Sequence, residues 1–73
     1  MRYNKVKNLN NVMMIEYTAN YVGSDVEKVI LFNKNVISEK EVREMLKNGE
    51  WVAERSDKII IMYKSQFNNV FGE

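Results

Sequence analysis

Residues 38–49 read SEKEVREMLKNG, and nowhere else in the 73-residue chain are the signals for one helix so complete. Ser38 is a good N-cap, and Glu41 three residues on completes a capping box. Ile37 and Val42 occupy the two positions of a hydrophobic staple. Val42, Met45 and Leu46 form one narrow apolar stripe, while Glu39 and Arg43 make a well-oriented i,i+4 pair on the wet side. Gly49 follows where a left-handed C-cap is wanted. The pattern predicts a helix over 38–48.

Outward from this helix the chain reads as strand. Over 12–21, Met13, Ile15, Tyr17, Ala19 and Tyr21 point one way, and Glu16, Thr18 and Asn20 the other. Val22-Gly23-Ser24-Asp25 supplies a turn, and residues 26–32 make a second strand. After the helix, residues 50–54 read as a short strand. A polar turn at 55–58 leads to a strong strand over 59–63. The expected fold is therefore α+β, in the order β-β-α-β-β. It is a four-stranded, mostly antiparallel sheet with one helix packed on one face. Residues 12–64 form the expected domain. Residues 1–11 read as a basic, Asn-rich N-terminal arm, with room for a short strand around Val6, and residues 65–73 as a polar tail.

The runs Ile59-Ile60-Ile61-Met62-Tyr63 and Val29-Ile30-Leu31-Phe32 are apolar on both faces of their strands. A sheet with one solvated face should alternate, and one three-turn helix covers only one face. The other face needs a cover, either the termini through Leu9, Phe67, Val70 and Phe71, or a second molecule. A chain this short buries only about 60% of its unfolded surface. Disulfides, metals and oligomerisation are the usual aids, and the chain contains no cysteine. A homodimer is therefore expected. Lys58 and Lys64 flank the Ile run as gatekeepers against β-aggregation.

The composition excludes more chemistry than it suggests. With no histidine and no cysteine, Ser-His and Cys-His catalysis, thiol chemistry and zinc fingers are ruled out. The three glycines are isolated, and no phosphate-cradling loop or calcium-binding spacing occurs. No enzyme activity, metal or cofactor is expected. No apolar run approaches the ~20 residues of a membrane helix, and the N-terminus lacks the apolar stretch of a signal peptide. A cytoplasmic protein without membrane association follows as the expectation.

Two binding readings remain. The first is a protein that binds and modulates, most simply inhibits, a host protein. Its candidate contact residues are Tyr17, Tyr21, Trp51 and Tyr63, since aromatics dominate interface hot spots. Trp51 is the only tryptophan; its plainer role is to pack over Met45 and close the helix end. An Asn-, Lys- and Ile-rich composition fits an AT-rich coding genome, and with the small size suggests a phage- or mobile-element-type accessory protein. The second reading is a DNA- or RNA-binding regulator using Arg2, Tyr3, Lys5 and Lys7, with strand aromatics as a stacking platform. Against it, eight Lys and Arg face ten Asp and Glu beyond residue 11, so no basic stripe crosses the domain. The net charge of +1 likewise argues against a DNA mimic.

Overall fold

A computed structural model describes residues 2–71. The elements are β1 (Arg2–Leu9), β2 (Val12–Tyr21), β3 (Ser24–Asn33), α1 (Glu39–Asn48), α2 (Glu50–Glu54), β4 (Ile59–Tyr63) and α3 (Lys64–Phe71). The four strands form one antiparallel sheet in the order β1-β2-β3-β4. The α+β class and the four-stranded antiparallel sheet agree with the sequence reading. The element order and the single helix do not.

Three differences have identifiable causes. First, residues 50–54 form a helix, not a strand. Glu50 and Glu54, four residues apart, both reach the Lys28 ammonium, which helical spacing allows. Second, residues 2–9 of the expected arm are strand β1, hydrogen-bonded along β2. Its register shifts between Tyr3 and Lys5, so its apolar residues Tyr3, Val6 and Leu9 fall out of simple alternation. Third, residues 64–71 of the expected tail form α3, with Phe67 buried. Residue 1 of the arm and residues 72–73 of the tail lie outside the described residues.

Helices therefore lie on both faces. On one, Met13, Ile15, Tyr17, Ile30 and Phe32 pack with Ile37, Val42 and Leu46 of the α1 segment and Ala53 of α2. On the other, Met14, Val29 and Leu31 pack against Phe67, with Leu9 and Met62 alongside. The chain's own ends thus supply part of the second cover, through Leu9 and Phe67. Val70 and Phe71 stay exposed.

Local signals behave as physics requires at most joints. The Ser38 hydroxyl accepts a hydrogen bond from the Glu41 amide and lies 3.1 Å from the Glu41 carboxylate, and Arg43 pairs with Glu39 at 2.8 Å. Gly49 does not take the left-handed cap. Its φ of 133° and ψ of 135° turn the chain directly into α2. The β2–β3 hairpin turns on Val22 and Gly23, both at positive φ (51° and 84°). Tight two-residue hairpins favour that backbone, and a β-branched residue tolerates it poorly.

Candidate interaction surface

The polar centre of the molecule sits where α2 meets the sheet. Lys28 lies on β3 opposite Tyr17 of β2 and Tyr63 of β4, facing the side that α2 covers. Its ammonium donates to Glu50 Oε1 at 2.6 Å and to the Tyr21 hydroxyl at 3.0 Å, and Glu54 lies 3.6 Å away. Tyr17 donates to the same Glu50 oxygen at 2.7 Å, and Tyr21 donates to Glu50 Oε2. The rings of Tyr21 and Tyr63 flank the ammonium, each centroid 5.3 Å away. Both oxygens of one carboxylate are thus engaged, and among the described residues no buried side-chain nitrogen or oxygen lacks a partner.

The electrostatics follow from this geometry. Burial alone would raise the Glu50 carboxyl, but hydrogen bonds from Lys28, Tyr21 and Tyr17 outweigh it and hold the group below its ordinary value. Burial alone would lower Lys28; the Glu50 carboxylate and the Tyr21 hydroxyl outweigh that and hold it above. Burial and the neighbouring carboxylate push Tyr17 far up, and Tyr21 rises for the same reasons against the opposing pull of Lys28. At neutral pH the cluster is a protonated lysine, an ionised glutamate and two protonated phenols, each satisfied by the others. Its physical role is to fasten α2 to the sheet.

What α2 presents is Trp51, the residue after Glu50. Trp51 is 60% exposed, although one side of its ring lies against the end of α1. The Arg55 guanidinium sits over its ring at 5.9 Å, one helical turn on. The Gly49 backbone lies close beneath the indole: a Cβ there would stand 2.6 Å from Nε1. The ring is therefore supported on two sides and open on another. Tyr21 and Tyr63, at the rim of the Lys28 cluster, are exposed as well.

Of the four aromatics proposed from sequence for protein contact, three reach solvent and one does not. Tyr17 is fully buried, its hydroxyl spent on Glu50, and it cannot touch a partner. Strand alternation put it on the inward face with Ile15, which was the available signal. Arg55 was missed; its spacing of four from Trp51 was the clue. The Lys28–Glu50 pair was missed too, because 22 residues separate its members.

The basic residues proposed for nucleic acid lie on edge strand β1. Arg2 reaches Asp25 at 3.4 Å, Tyr3 lies 4.4 Å beneath the Arg43 guanidinium, and Lys5 stands opposite Glu16 in the ladder. These residues are exposed, but acidic neighbours accompany two of the cations. Among the described residues no group of acidic side chains is arranged to hold a metal ion, and no helix is long and apolar enough to cross a membrane.

No family model, no curated protein and no solved structure matches this chain.

Proposed function

We propose that this is a small non-enzymatic protein that binds and modulates a host protein, of the accessory type carried by phages and mobile elements. The observation that carries the reading is the presentation of Trp51. A tryptophan on a five-residue helix is left 60% exposed while Gly49 and Arg55 hold its ring in place. Its mount is anchored by a nearly closed ion pair between Lys28 and Glu50. Trp, Tyr and Arg are the residue types enriched in binding hot spots, and Trp51, Arg55, Tyr21 and Tyr63 are of those types. A side chain already fixed in place loses little entropy on binding.

The test is affinity capture from host extract after nuclease treatment, with wild-type protein and with Trp51→Ala. A partner retained by the wild type and lost by the variant supports the reading. Equal capture by both removes it.

The alternative is nucleic-acid binding through β1, favoured by the row of Arg2, Lys5 and Lys7 along one exposed edge. That reading requires affinity that falls steeply with salt, because each neutralised phosphate releases counterions. It also requires loss of binding in a Lys5→Ala, Lys7→Ala double variant. A gel shift at physiological salt that this variant abolishes would place the function there.

A further inference from the structure

A second apolar surface lies on the α3 side of the sheet, away from Trp51. A groove of about 440 Å³ is lined by Leu9, Val12, Leu31, Ile60 and Phe71. Beside it stands an apolar ridge. Phe71 stacks on buried Phe67 with ring centroids 4.7 Å apart, and Val70, three residues from Phe67, is exposed next to it. Concave and convex apolar surfaces thus sit side by side on one face.

We propose that a second copy of this chain covers the surface, docked about a two-fold axis so that each Val70–Phe71 ridge seats in the other's groove. An isologous contact needs a patch complementary to itself, and an apolar groove whose wall, Phe71, belongs to an exposed apolar ridge offers both halves of such a patch on one face. The area also fits. Val12, Ile60, Val70 and Phe71 remain 36%, 59%, 66% and 52% exposed, leaving roughly 400 Å² of mostly apolar surface, within the roughly 300–600 Å² of the largest patch on a typical monomer, a patch that is often functional. A standard interface takes about 800 Å² from each partner, a little over half of it apolar. The charged residues at the groove are Asp57 and Lys58, one of each sign, so the rim carries no net charge to repel its own image.

The edges of the sheet are poor alternatives for self-association. Lys58 and Lys64 bracket β4, and β1 carries Arg2, Lys5 and Lys7 with a break in its register. Charged and irregular edges oppose strand-to-strand addition. The face is the remaining route.

The proposal does not rest on the reading of Trp51, and its test is separate. Light scattering and sedimentation of the full chain, from low to high micromolar concentration, should give twice the chain mass. Ile60→Asp and Val12→Asp should each weaken the dimer at least tenfold while the far-UV spectrum stays native. Trp51→Ala should leave the dimer intact. Val70→Asp, on the exposed ridge, probes the same surface should a groove variant fail to fold. A wild-type chain that stays at single-chain mass throughout overturns the proposal. So does a dimer that survives the folded variants of this face.

Discussion

The Lys28 ammonium lies 2.6 Å from a carboxylate oxygen of Glu50, and the two side chains are only 10% and 12% exposed. Removing one member of such a pair leaves a charge with little access to water, which costs about 3–5 kcal/mol. Glu50→Ala should cost somewhat less than that in denaturant melts, because Glu54, 3.6 Å from the Lys28 ammonium, remains as a second partner. Replacing both, as Lys28→Met with Glu50→Leu, should cost much less than the sum of the single changes, because neither charge is then stranded. Additive losses would show that the two groups do not act as a pair.

The same cluster sets the pH range of stability. Glu50 is held below its ordinary value, so its contribution is full above the unfolded carboxyl pKa of about 4.3 and is lost as pH falls through the lower folded value. Lys28, Tyr17 and Tyr21 are held above theirs. Their contribution is full below the unfolded pKa values of about 10 and is lost as pH rises through the folded ones. Stability should be level between about pH 5 and 10 from these groups and decline on both sides. Glu50→Gln should flatten the acid decline and Tyr17→Phe should soften the alkaline one, both read by melts across pH.

Val22 holds a φ of 51° at the tip of the β2–β3 hairpin and is fully exposed. The left-handed region costs an ordinary residue about 1–2 kcal/mol, and a β-branched side chain with no packing gains nothing in return. Val22→Asn restores the Asn-Gly dipeptide preferred in such turns and should stabilise the fold by about 1 kcal/mol. A neutral or destabilising result would give Val22 a role beyond the turn.

Gly49 joins α1 to α2 at a φ of 133°, and any Cβ there collides with the Trp51 ring. Gly49→Ala should lower the melting temperature and shift tryptophan emission, since Trp51 is the only tryptophan. Trp51→Ala should change stability by less than about 0.5 kcal/mol, as exposed substitutions do. The pair of variants separates the hinge from the ring it supports.

In α1, Ser38→Ala should cost about 0.5–2 kcal/mol through loss of the N-cap bond. Leu46→Ala should cost about 2–5 kcal/mol through the cavity it leaves. Urea melts of the two variants give the order directly.

How far the sequence could be read depended on where each signal was located. Strands β2 and β4 and helix α1 carry their evidence locally, in alternation, in apolar runs and in the Ser38 cap, and they were legible to within a residue. Strand β1 has its outer edge in water, and its register break scatters Tyr3, Val6 and Leu9, so it resembled a solvated arm. Helix α3 did carry Phe67, Val70 and Phe71 at i, i+3 and i+4, but the asparagines between them suggested a tail. Helix α2 is too short for a period to show, and Trp51 and Val52 weighed towards strand. What defines it is tertiary: Glu50 finds Lys28 from 22 residues away. Trp51 and Tyr63, two of the candidate contact residues, do reach solvent, although packing over Met45 was the plainer reading of Trp51; Tyr17 could be separated from them only once its hydroxyl partner was known.

The strands sit in the sheet in the order in which they occur in the chain, and this bears on how the molecule assembles as it is made. β1, β2 and β3 are joined by two-residue turns, so each can pair with its predecessor at small loop-closure cost. β4 begins 26 residues after β3 ends, with two helices between them. Until it arrives, β3 is an open edge bearing Val29, Ile30, Leu31 and Phe32, and until α2 forms, Lys28 lacks its carboxylate. During synthesis the nascent chain thus passes through a three-stranded stage with the apolar run of β3 unprotected. That interval, rather than the finished fold, is where misassembly is most exposed.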